Sequence, residues 1–198
     1  MRGTSRQEDR FIDTVPKRRR ARYVATAFHE AGHAVLASKF KTRSPERTTI
    51  APEGESIGKV TGAPWPMSFW RDGDDFFKKP AKRYKLEREI IVLLAGREAE
   101  RKKTGRYNNI GADSDHFKAA EYGCLIEGGE EVVAAYLRYL TAVTRKWVNL
   151  PLIWKQIEAV ADELLLRGTI EGEARIADIM DGVIRARIPR VVIEYFPE

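Results

Sequence analysis

A mainly α-helical domain with one small β-hairpin, an α+β fold, is what this sequence predicts. Small and apolar residues recur at helical spacing in six separate stretches. One window near residues 47–61 has β-branched residues on either side of a Pro-Glu-Gly turn signal. With 198 residues, 43% of them hydrophobic, the chain can enclose one core of ordinary size.

The elements follow in order. Residues 1–16 are polar and read as a mobile arm, with residues 17–198 forming a single domain. From Lys17 to about Phe40, Ala21, Val24, Ala25, Phe28, Ala31, Val35 and Leu36 recur with helical period, and Pro16 suits the first turn. Arg47–Ala51 and Ile57–Thr61 are expected as two short strands. The stretch "PWPMSFWRDGDDFFKKP", residues 64–80, has no clean period, and a loop of that length is often functional. Helical spacing returns at about Ala81–Lys103, centred on Leu86, Ile90 and Leu93. A helix opening at Asp113 or Ser114 and running through Ile126 comes next, then helices at about Glu130–Val148, Pro151–Arg167 and Glu171–Ala186. The tail "RVVIEYF" has strand character.

Composition narrows the function. Cys124 is the only cysteine, so neither a disulfide framework nor a cysteine-based zinc site can form, and a reducing, cytoplasmic setting is expected. No apolar run reaches membrane-spanning length, and charges occupy the place of a signal-peptide core. The net charge of +6 is concentrated in "KRRRAR" (residues 17–22) and "REAERKK" (residues 97–103). Such runs usually form solvated faces. Without a recognition-helix, zinc-finger or RNA-binding fingerprint, nucleic acid is not the expected partner.

The stretch "FHEAGHAVL", Phe28–Leu36, carries two of the three histidines of the chain. Four positions apart on a helix, His29 and His33 lie one turn apart on one face, where neutral imidazoles can hold a zinc ion at about 2.0–2.1 Å each. Glu30, beside the first, can take a proton from an attacking water and pass it to a leaving amine. Metal-assisted amide hydrolysis is the reaction class that follows. Gly32 supports a special role for this helix, since glycine costs about 1 kcal/mol in a helix interior and is usually kept there for packing or function. A catalytic zinc needs a third protein ligand. His116, Asp113, Asp115, Glu98 and Glu100 are all chemically suitable, and spacing does not choose among them.

Three motifs in order carry a resemblance. "HEAGHAV" at His29–Val35, "IIVLLAGREAE" at Ile90–Glu100 and "GADSDHFKAA" at Gly111–Ala120 resemble the peptidase domain of the FtsH-type ATP-dependent zinc metalloproteases. Ile157–Met180 is similar to the closing helices of that family. The resemblance implies a zincin-like helical domain holding one Zn2+ per chain, with His29, His33 and Asp115 as ligands and Glu30 as base. It gives Arg97 and Glu100 structural or site-orienting roles. It makes Ile57, Gly58, Lys59, Val60 and Thr61 the edge along which an extended polypeptide substrate lies. It also implies a homo-oligomer, by analogy a hexamer. The sequence has no Gly-x-x-x-x-Gly-Lys-Ser/Thr loop, so a separate ATPase or adaptor is the expected source of unfolding. The alternative is a noncatalytic metal-binding member of the same fold that serves as an interaction module.

Overall fold

The computed structural model describes residues 10–42, 45–52, 57–62, 79–107 and 109–187. The aromatic stretch 64–80, save its last two residues, and the strand-like tail lie outside them. In chain order the elements are α1 (Phe11–Thr14), α2 (Lys17–Phe40), β1 (Pro45–Thr49), β2 (Lys59–Gly62), α3 (Pro80–Thr104), α4 (Asn109–Glu127), α5 (Glu130–Asn149), α6 (Pro151–Arg167), β3 (Thr169–Glu171) and α7 (Glu173–Arg187). The mainly α architecture with a small β segment is as the sequence predicts. Among the described residues, no helix is long and apolar enough to cross a membrane.

Local chemistry sets the ends of these helices. Pro80 and Pro151 stand in the first turns of α3 and α6, where a missing N–H costs nothing. At the end of α6, Gly168 takes φ +80, its N–H donates to the Leu164 carbonyl at 2.7 Å, and the chain reverses directly into β3. The same residue lies under the Phe11 ring, so a side chain there would be both strained and blocked.

Two details add to the sequence reading. In the described part of the stretch read as an arm, Ile12 and Val15 are buried, and the Phe11 ring lies 5.9 Å from that of Tyr23. Among the described residues a third strand joins the two expected ones, in the order β2-β1-β3 and antiparallel throughout. Thr48 at its centre pairs with Val60 on one side and Ile170 on the other. At three residues, β3 is too short to leave an alternating pattern in the sequence.

The core is built around α2, which packs on α3, α6, α7 and β1. Phe28 and Leu36 of α2 are buried together with Ile90, Ile157, Leu164 and Ile176. Gly32 has a packing reason. A Cβ at Gly32 would stand 2.7 Å from the Ala95 carbonyl oxygen and 2.9 Å from the Ala99 Cβ, so α2 and α3 meet backbone to backbone there. That crossing brings the histidine face of α2 against the middle of α3.

Candidate metal centre

His29 and His33 project from α2 with their ring centroids 4.7 Å apart, and both are buried. Asp115 enters from the second turn of α4 and places Oδ2 at 3.2 Å from Nε2 of each ring. Of the acidic and histidine candidates left open by spacing, Asp115 is the one brought to both imidazoles, and these three side chains form a group able to hold a metal ion. His116 and Asp113 are exposed. Glu98 faces α5 instead.

The outer nitrogens show what the inner ones are for. Nδ1 of His33 lies 2.7 Å from the Val92 carbonyl, which can only accept, so that nitrogen carries the proton. Nδ1 of His29 lies 3.2 Å from the Glu100 carboxylate and donates to it. In each neutral ring Nε2 is then a bare lone pair, and both lone pairs point at a carboxylate oxygen. With both rings neutral, three electron-rich atoms share one focus, an arrangement that fits a cation, whether a metal ion or the protons that the Nε2 atoms otherwise carry.

The electrostatics agree. Burial alone lowers the His29 pKa, but hydrogen bonds to Asp115 and Glu100, with the Glu30 charge, outweigh it and raise the value to about 10. For His33, burial again pulls down while the Asp115 charge and hydrogen bond pull further up. Burial raises the Asp115 pKa, but the His33 charge and the hydrogen bonds from both rings leave it well below the usual carboxylate range. The pocket is set to contain positive charge.

Glu30, buried on the same helix, has its pKa raised by burial, with the His33 and His29 charges opposing. The backbone before β2 lies against it. A Cβ on Gly58 would meet Thr26 Cγ2 at 2.5 Å and come closer still to Glu30 Oε1. Ile57, Gly58, Lys59 and Val60 line a cleft of about 950 Å³ that includes His29 and Glu30. Thr61 turns back toward β1 and donates to the Arg47 carbonyl at 3.3 Å. β2 is the outer strand of the sheet, on the side away from β3.

Arg97 and Glu100 part company. Glu100 reaches His29, whereas the Arg97 guanidinium lies 4.5 Å from the centre of the Tyr107 ring. Three features at or near the site escape the sequence reading, the last being the partners of Glu98, which enters there only as a possible ligand. The Val92 carbonyl is backbone and leaves no side-chain signal. Gly96 faces the imidazoles from α3, and the reasoning that singled out Gly32 would have found it. Glu98 joins partners far along the chain.

That last residue holds the elements around the site together. Glu98 is 2% exposed and accepts from Arg145 Nε at 2.9 Å, Arg101 Nε at 3.3 Å and Tyr107 Oη at 3.1 Å. Burial pushes its pKa up, but the hydrogen bond and charge of Arg145 bring it below 4.5. A carboxylate lowered in this way stabilises the fold fully above its unfolded value, and the contribution is lost as pH falls through the folded one. Replacing Arg145 with methionine is expected to cost about 2 kcal/mol at neutral pH. This is less than the loss of a fully buried partner, because Arg145 is 44% exposed and Arg101 and Tyr107 remain. Urea titrations of parent and variant should converge below about pH 4.5 as Glu98 protonates.

No protein-family model matches the chain. Over 96 residues, 48% of its length, it is 30% identical to the ATP-dependent zinc metalloprotease FtsH of Caulobacter vibrioides. It is 36% identical over 92 residues, 46% of its length, to the protein of the same name from Rickettsia bellii. Over 76 residues, 38% of its length, it is 34% identical to that of Neorickettsia risticii. The matched stretches make up 14%, 13% and 10% of those proteins, so the relationship concerns a minor part of each. Together with a His-His-Asp cluster drawn from α2 and α4, these partial similarities support an FtsH-like domain.

Proposed function

We propose that this chain is a zinc-dependent metallopeptidase that hydrolyses peptide bonds of unfolded, small or extended polypeptides. The observation that carries the reading is the convergence of the Nε2 atoms of two imidazoles and the Asp115 carboxylate beside Glu30, on the floor of an open cleft. The similarity to proteins named zinc metalloproteases supports zinc as the ion, and the one His-His-Asp group found among the described residues supports one ion per chain.

The residues divide the work. His29, His33 and Asp115 would hold the ion, while Glu100 and the Val92 carbonyl fix the ring orientations. Bound there, zinc would polarise the scissile carbonyl and make water a nucleophile near neutral pH. Glu30 takes the proton of the attacking water and passes it to the leaving amine. Burial, which raises its pKa, favours its holding the proton between the two transfers. The edge of β2 that no described strand covers offers backbone groups to an extended chain, which favours substrates without fixed structure. Arg97 acts structurally through Tyr107. Delivery of folded substrates falls to a separate ATPase or adaptor, and the chain acts as a ring-forming oligomer in the cytoplasm.

The test is incubation of the zinc-loaded protein with a reduced, unfolded protein substrate. Cleavage is expected, abolished by 1,10-phenanthroline and restored by added zinc. One equivalent of bound zinc without hydrolysis of the unfolded protein or of a broad peptide library would instead favour the noncatalytic interaction module.

A further inference from the structure

The cleft separates its charges by depth. Glu30, Glu89 and Glu100 line it but are buried, and Asp115 faces the two histidines. Among the described residues, the exposed charged side chains that line it are both cations, Arg22 and Lys59. Arg22 stands on the face of α2 that leads to the site, in the series Arg22, Thr26, Glu30 and His33. It is eight residues from Glu30, or about 12 Å along the helix axis. Lys59 opens β2 beside Gly58, which touches both Thr26 and Glu30. An extended chain on the β2 edge covers that distance in three to four residues, at about 3.3 Å each.

The placement of these cations runs against local preference. The first turn of α2 has no acidic residue, and Lys17, Arg18 and Arg19 stand where the helix end is already positive. Arg20 is relieved by Asp13 at 3.3 Å. No ion pair links Arg22 or Lys59 to another described residue, and both side chains are exposed. Cations kept at a helix start and carried along the wall of a cleft call for an anionic partner in that cleft.

We infer that Arg22, with Lys59 adding its charge to the same cleft, selects polypeptides with an acidic side chain three to four residues from the bond to be cut. This rests on the peptidase reading for the position of the bond, but the charge preference itself is a property of binding. The test therefore measures binding first. Zinc-loaded Glu30→Gln protein is titrated, by anisotropy, into decapeptides with a neutral fluorophore that differ only in glutamate or lysine at successive positions. Glutamate is expected to bind about three- to fivefold tighter at one or two adjacent positions. The difference should shrink between about 0.05 and about 0.5 M NaCl. Arg22→Glu in the same background should reverse the preference, and since Arg22 is exposed its replacement leaves the core intact. Equal affinities for both series, or a preference that survives Arg22→Glu, overturns the inference. So does tight binding of a DNA 20-mer with no discrimination among the peptides. Cleavage by the parent protein, run alongside, separates the two readings. If neither series is cut while the preference holds, the peptidase assignment fails and the selection stands. If both are cut with the same KM, the selection fails and the peptidase stands.

Discussion

Zinc-loaded Glu30→Gln is expected to keep one equivalent of metal and to cut an unfolded substrate at least about a thousandfold more slowly than the parent. Glutamine keeps the size and polarity of the side chain and removes the ability to accept a proton. None of the three proposed metal-holding atoms belongs to Glu30. The loss should therefore fall on kcat, with KM nearly unchanged, because the groups lining the cleft remain. Single-turnover cleavage followed by mass spectrometry, beside a zinc titration of the same sample, gives both numbers. A variant that keeps its zinc and retains more than about a tenth of the parent rate removes Glu30 as the base.

The second large effect concerns a residue with no side chain. A Cβ on Gly96 would lie 2.7 Å from Nε2 of His29, and closer still to Nε2 of His33, the two nitrogens that converge on Asp115. Gly96→Ala is expected to weaken zinc binding by about a hundredfold or more, since displaced rings no longer share one focus with Asp115. By helix propensity alone the change would stabilise α3. Gly182→Ala supplies the contrast, because a Cβ there meets nothing within 4 Å and Gly182 lies in α7. That variant should keep full zinc affinity and gain up to about 1 kcal/mol. Isothermal titration with zinc and thermal melts of both variants check the pair. Unchanged zinc affinity in Gly96→Ala would show that α3 can retreat from α2, contrary to the contact at Gly32.

How much of this was legible depended on how local each signal was. Helices α2, α3 and α6 follow from apolar stripes and from Pro16, Pro80 and Pro151 at their starts, all features within one turn. The facing pair His29 and His33 needs only helical spacing. Asp115 did not come from spacing, since its proximity to the histidines depends on how α4 packs across α3; the resemblance pointed to it. Helix α4 itself starts at Asn109, four residues before Asp113, because Asp113 and Ser114 look like caps yet lie inside the helix. The Glu98–Arg145 pair spans 47 positions and the Glu100–His29 contact 71, and no periodicity reaches that far. What sequence reading lacked was tertiary proximity and the identity of backbone atoms as partners.

The near-touching main chains at Gly32 and Ala95 have a bearing on how an ion would come and go. With α2 and α3 locked into one mechanical unit, both imidazoles and their anchors are set in advance. Little ordering entropy is left for capture to overcome, apart from that of Asp115. Its carboxylate is 27% exposed, compared with about 10% or less for the rings. Exchange with the surroundings would then proceed by a hinge-like departure of one acid from a rigid pair, and the residence time of the ion becomes a measure of how firmly α4 is seated.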